Sequence, residues 1–132
     1  MTERVFPAET ARLPDVLAFV EEALGDCPMK AAMQISIAVE EIFVNIASYA
    51  YPDGAGSMTL GVSAEDGTAL IRFTDEGIPF DPLARKDPDI TLSADERAVG
   101  GLGIYMVRQS MDQTDYRREN GKNIFTITKK TR

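Results

Sequence analysis

Three short stretches of the sequence carry residue types that can do chemistry together. Glu41 and Asn45 stand four residues apart in a stretch free of glycine and proline, so on a helix they share one face. A carboxylate and an amide oxygen on one face suit a general base beside a hard cation, since Mg2+ takes oxygen ligands and keeps several waters. Asp75 continues the alternation of Ala69, Ile71 and Phe73, which puts a carboxylate at the end of an apolar strand face. Such a group is costly unless it is hydrogen-bonded, and an exocyclic amine such as that of adenine is a suitable donor. Gly77 follows two residues later and permits close approach of backbone or ligand. Gly100, Gly101, Leu102 and Gly103 then lead into an apolar segment. Glycine-rich backbone entering a helix offers N–H groups and the positive end of the dipole to a phosphate. Taken singly, each stretch also fits an ordinary role: a solvated Glu with a satisfied Asn, an Asp-x-Gly turn, a flexible hinge.

The elements around these residues follow from periodicity. Val5 and Phe6 start a short edge strand stopped by Pro7. Leu13, Val16, Leu17, Val20 and Leu24 recur at helical steps, with Thr10 as N-cap, Pro14 in the first turn and Gly25 as terminator. A second helix runs from Met29 to about Tyr51, with Ala32, Ile35, Val39, Ile42, Phe43 and Ile46 as its core stripe and Pro52-Asp53-Gly54 ending it. Met58, Leu60 and Val62 alternate as a strand, Asp66-Gly67 makes a hairpin turn, and Ala69 to Phe73 return. Residues 76–101 show little periodicity and contain Pro79, Pro82 and Pro88; a loop this long usually has a function or is disordered. Leu102 to Met111 is apolar on most sides and reads as a well-buried helix. Thr114 to Glu119 and Asn123 to Lys129 flank Asn120-Gly121 as a second hairpin. Hairpin-linked strands and three apolar-faced helices predict an α+β fold, a two-layer α/β sandwich with a mainly antiparallel sheet covered on one face.

Composition narrows the function classes. At 132 residues and 44% hydrophobic content, residues 1–132 suit one domain. Fourteen Lys and Arg against 21 Asp and Glu leave a net charge of −7, a poor balance for gripping phosphate backbones, so no direct nucleic-acid partner is expected. Histidine is absent, which removes Ser-His-Asp and Cys-His triads and most zinc sites. The single cysteine, Cys27, cannot form an internal disulfide and fits a reducing, cytoplasmic setting. The N-terminus lacks the apolar run of a signal peptide. The sequence predicts no run approaching the roughly 20 apolar residues of a membrane span, so no membrane partner is expected either.

In order, Glu41-x-x-x-Asn45, then Asp75-Glu76-Gly77-Ile78-Pro79-Phe80-Asp81, then Gly100-Gly101-Leu102-Gly103-Ile104 resemble the N, G1 and G2 boxes of the GHKL ATPases, the Bergerat fold. The branch they are most similar to is the anti-sigma-factor serine/threonine kinases, the bacterial switch kinases. Ala38-Val39-Glu40-Glu41, Pro79-Phe80-Asp81-Pro82 and Met111-Asp112 add to that likeness, which covers nearly the whole chain. The resemblance implies ATP and Mg2+ as cofactors. It implies that Glu41 activates the attacking hydroxyl, Asn45 coordinates Mg2+, Asp75 binds the adenine amine and Gly77 leaves room for the base. Gly101, Leu102 and Gly103 would meet the phosphates, with Gly100 as hinge of an ATP lid over about 80–99. Acids outnumber bases in that lid, and Arg97, nearest the glycines, is the candidate cation to turn toward the phosphates; a solvated loop is the alternative. Tyr49 stands where the family often has histidine, and Pro79 replaces the second glycine of the wider family's Asp-x-Gly-x-Gly.

The resemblance further implies a kinase that phosphorylates a Ser or Thr on an anti-anti-sigma antagonist protein and sequesters a sigma factor, as a homodimer. The alternative is a nucleotide-dependent binding module without phosphotransfer. A sensor-kinase catalytic domain ranks lowest, because its phosphoacceptor histidine is missing.

Overall fold

The structure is a computed structural model that describes residues 1–81 and 101–131. Arg97, Gly100 and the lid segment beyond Asp81 lie outside the described residues. The described elements are β1 (Thr2–Pro7), a 3-10 turn (Thr10–Arg12), α1 (Leu13–Leu24), α2 (Met29–Tyr49), β2 (Ser57–Glu65), β3 (Thr68–Asp75), α3 (Gly101–Ser110), β4 (Gln113–Glu119) and β5 (Lys122–Lys130). The strands form one antiparallel sheet in the order β1-β2-β3-β5-β4. β1 is therefore an edge strand, as its position and Pro7 suggested.

Alternation decides which face the helices cover. Along β3 the residues Ala69, Ile71, Phe73 and Asp75 are buried and the intervening ones half-buried. The register sets Met58, Leu60 and Val62 of β2 on one side of them. Asn123, Phe125 and Ile127 of β5 lie on the other. Val16, Val20 and Leu24 of α1 and Ile35, Val39, Ile42 and Phe43 of α2 join the same core. Phe73 meets Phe125 edge-on at 6.5 Å, an arrangement aromatic rings favour. Both hairpins use paired positive φ angles, Asp66 at 53° with Gly67 at 75° and Asn120 at 52° with Gly121 at 76°, which is the type I′ geometry those dipeptides signal.

Three expectations need correction. Thr10 does not cap α1. It opens the 3-10 turn, and the residue before α1 is Arg12, which makes no side-chain cap. The N–H groups of Arg12 and Leu13 go instead to the carbonyls of Glu9 and Thr10, so backbone does what a hydroxyl would have done. The last helix is not buried all round: Ile104 and Val107 face the core, with Met111 just beyond the helix, while Met106 is 53% exposed. The core stripe of α2 runs through Ala31 and Ala38, and Ala32 is only half-buried.

A fourth correction concerns α2 as a whole. An 18-residue stretch within its 21 residues has a mean hydropathy of 1.3, long and apolar enough by composition to pass for a membrane span. A core helix of a globular domain passes the same test, and α2 packs against both α1 and α3. Its outward side is nevertheless apolar, with Met29, Met33 and Ile37 exposed.

Candidate functional site

The sequence-predicted residues Glu41, Asn45, Asp75, Gly77 and Gly103 gather where α2, the end of β3 and the start of α3 meet. Asp75 is 5% exposed. Its Oδ1 accepts hydrogen bonds from the Gly77 N–H at 2.9 Å and from Asn123 Nδ2 at 2.9 Å. Its Oδ2 takes no hydrogen bond from the described residues, which leaves that oxygen for an incoming donor. Asn123 is itself fully engaged. Nδ2 also donates to the Ile78 carbonyl at 2.8 Å, and Oδ1 accepts from the Tyr116 hydroxyl at 2.6 Å and from the Phe80 N–H at 3.4 Å. A buried amide with both donors and both lone pairs used is held rigidly.

Apolar side chains wall the space beside these groups. Ile42 and Ile46 of α2, Ile104 of α3 and Phe125 of β5 line a pocket whose polar members include Asn45 and Asp75. Apolar walls with a few convergent polar groups are the usual composition of a small-molecule site. The apolar lining and the open Asp75 Oδ2 suit the chemistry of a heteroaromatic ring bearing an amine, and the cavity of about 30 Å3 must widen to admit one.

Gly77 is required by the protein's own packing. A Cβ there would overlap the Ala50 carbonyl at the end of α2, and the neighbouring Ile78 N–H bonds to that carbonyl at 2.9 Å. Arg118 Nη1 donates to the Gly77 carbonyl at 2.8 Å. Tyr51 closes the same turn, accepting from the Glu76 N–H at 2.9 Å and donating to the Ser57 carbonyl at 2.5 Å.

Glu41 lies half-buried on α2, one turn before Asn45. Burial pushes its carboxyl above the ordinary glutamate value and the adjacent Glu40 charge adds to this; a hydrogen bond from the Asn45 side chain partly offsets both. Raising a glutamate toward neutrality is how a carboxylate becomes an effective base. Gly103, in the first turn of α3, passes directly against this carboxylate, and a Cβ there would overlap it. The helix start that could receive phosphates is thereby brought to this carboxylate. Leu102 lies in the same first turn, which Gly101 opens.

Among the described residues no three His, Cys, Asp or Glu side chains cluster as a metal site. Asn45 beside Glu41 fits a Mg2+ ion held largely by phosphates and water, which is how this ion usually binds in nucleotide sites.

Asn123, Tyr116, Arg118 and Tyr51 escaped sequence reasoning. The signal that finds them is the register of β3 against β5, which sets Asn123 opposite Asp75 across 48 residues of chain. Tyr49 is 47% exposed and its ring stands 6.4 Å from that of Phe80, so it braces the start of the segment expected to form the lid.

A family model described as Histidine kinase-like ATPase domain matches residues 6–129. The chain belongs to this family. Its sequence is 28% identical over 97 residues to the serine/threonine-protein kinase BtrW of Bordetella bronchiseptica, covering 71% of this chain and 67% of that protein. It is 30% identical over 91 residues to the serine-protein kinase RsbW of Halalkalibacterium halodurans, covering 66% and 56%. Against RsbW of Bacillus cereus the match is 26% over 94 residues, 68% and 59%; the chain thus spans under two thirds of these RsbW proteins. Among solved structures, the RsbU and RsbW domains of a Mycobacterium tuberculosis protein superpose with a TM-score of 0.63 at 15% identity, covering 98% of this chain and 32% of that one. The blue-light activated histidine kinase of Erythrobacter litoralis gives 0.62 at 18%, covering 92% and 41%. These likenesses show the fold, the α+β sandwich expected from the sequence.

Proposed function

We propose that this histidine kinase-like ATPase domain binds ATP with Mg2+ and transfers the terminal phosphoryl group to a Ser or Thr of an anti-anti-sigma antagonist, and that it also sequesters a sigma factor. The observation that carries the reading is the half-buried Glu41, its carboxyl raised and held by Asn45 against the Gly103 turn. In this reading Asp75 and the Ile42, Ile46 and Phe125 walls hold the adenine, and Asn45 fixes the cation. Glu41 accepts the proton of the attacking hydroxyl as its oxygen bonds to the terminal phosphorus; the bond to the bridging oxygen breaks and ADP leaves. Such transfer is mainly positioning and charge stabilisation. The names of the relatives, serine/threonine-protein kinase for BtrW and serine-protein kinase for RsbW, support a hydroxyl acceptor.

The test mixes the chain with Mg2+, labelled ATP and the antagonist protein encoded beside it. Label on the antagonist that disappears with Glu41→Gln, while nucleotide still binds, supports the kinase. Nucleotide binding with no transfer leaves a binding module; no nucleotide binding overturns both.

A further inference from the structure

The outward side of α2 carries an apolar ridge that neither the core nor the nucleotide site uses. Met29, Met33 and Ile37 are 79%, 59% and 60% exposed and follow one another at four-residue spacing, which makes them one continuous row. A surface helix normally turns charge to this side. Beside the row a groove of about 440 Å3 lies between α1 and α2, lined also by Leu24, Cys27 and Ala32. Acids border it. Glu21 lines the groove, Asp26 is exposed beside Cys27, and Glu40 is exposed one turn beyond Ile37, against Lys30 near the start of the helix.

We infer that this ridge and groove dock an amphipathic helix of a partner protein, apolar on one side and flanked by Lys or Arg. Helix-in-groove binding reads an apolar row of this spacing, and methionine side chains adapt to such a partner. Charge selects the occupant. A second copy of this chain across a two-fold axis would set Glu21 and Glu40 near their own kind, and an anionic membrane surface would meet the same acids. The row ends one helical turn before Glu41, so a partner held there presents its neighbouring loops to the base. The docking stands on the surface alone; the assignment of the occupant as the phosphorylated antagonist rests on the kinase reading above.

The probe is a fluorescein-labelled synthetic helix of leucine and lysine, apolar on one side, titrated with the full chain. A leucine–glutamate helix of the same pattern is the control. Saturable one-to-one binding of the lysine helix is expected, weakened about tenfold or more by Met33→Glu with Ile37→Glu, with nucleotide affinity unchanged as the check on folding. The two glutamates add negative charge, so simple attraction predicts tighter binding and apolar docking predicts weaker. Val5→Glu, on the opposite face of the sheet, should leave the affinity as it is. Unchanged or tighter binding in the double variant overturns the proposal, as does an equal loss in Val5→Glu. So do a self-association or a binding to anionic vesicles that the double variant abolishes. Failed docking with Glu41-dependent transfer intact removes the docking face and leaves the kinase. Intact docking with no transfer does the reverse.

Discussion

The two ends of the proposed nucleotide site are built differently. At the Asp75 end the polar groups form a mostly buried network that leaves Asp75 Oδ2 open among the described residues: Asp75 bonds to Gly77 and Asn123, and Asn123 to Ile78, Tyr116 and Phe80. At the Glu41 end a half-buried carboxylate bonds to the Asn45 side chain and has a raised affinity for protons. The first end sits on three strands of a sheet, the second on one helix with a glycine pressed against it. Recognition of a flat ring gains from a preset network, because nothing has to reorganise on binding. Proton transfer needs a group that can be reached by an outside hydroxyl, and full burial would prevent that. In the proposed reading, binding falls to the sheet and chemistry to the helix.

Variants at each end can break that assignment. The largest effect is expected for Glu41→Gln, a loss of about a hundredfold or more in transfer with nucleotide affinity kept. Its pH behaviour sharpens the point. The base must be ionised to act, so the transfer rate should climb as pH rises through the raised carboxyl value, a limb that Glu41→Gln lacks. Stability runs the other way. The folded state holds the Glu41 proton more tightly than the unfolded state, so the stability this adds is present at acid pH and lost as pH rises through the folded value. Glu41→Gln should therefore raise Tm at neutral pH and leave it unchanged in acid. Asn123→Ala comes next. Removing a buried partner of Asp75 should cost about 1–3 kcal/mol in denaturant unfolding and weaken nucleotide binding about tenfold, with the transfer rate at saturating nucleotide little changed. Equal loss of rate would mean that the two ends are not separable. Gly103→Ala should slow transfer several-fold, read from single-turnover rates, because the new Cβ displaces the Glu41 carboxylate. The smallest change is expected for Tyr116→Phe, about 1 kcal/mol of stability from one lost hydrogen bond.

The same contrast explains what could be read from the sequence. The helix end was legible because its residues are local: Glu41 and Asn45 are one turn apart, and Gly103 lies in a glycine run whose composition marks it. Element order, both type I′ turns and the buried position of Asp75 followed from periodicity in the same way. Asn123 was not legible, because an asparagine beside an Asn-Gly turn reads as part of the turn. Only the pairing of β3 with β5 turns it toward Asp75. Thr10 misled for a related reason: a 3-10 turn supplied the backbone acceptors that a helix start ordinarily takes from a side chain. The exposed row on α2 was masked by its own hydrophobicity, since Met33 and Ile37 lie in a helix whose other apolar residues are core.

One helix, α2, carries core packing on one side, Glu41 and Asn45 at the edge of that side, and the Met29–Met33–Ile37 row on another. An α-helix turns about 100° per residue. A single inserted or deleted residue between Ile37 and Glu41 would therefore rotate the base out of the site, or the row away from the groove, even if every side chain were kept. Descent with this architecture should tolerate exchange among apolar residues in the row far better than any change in the number of residues between the row and Glu41.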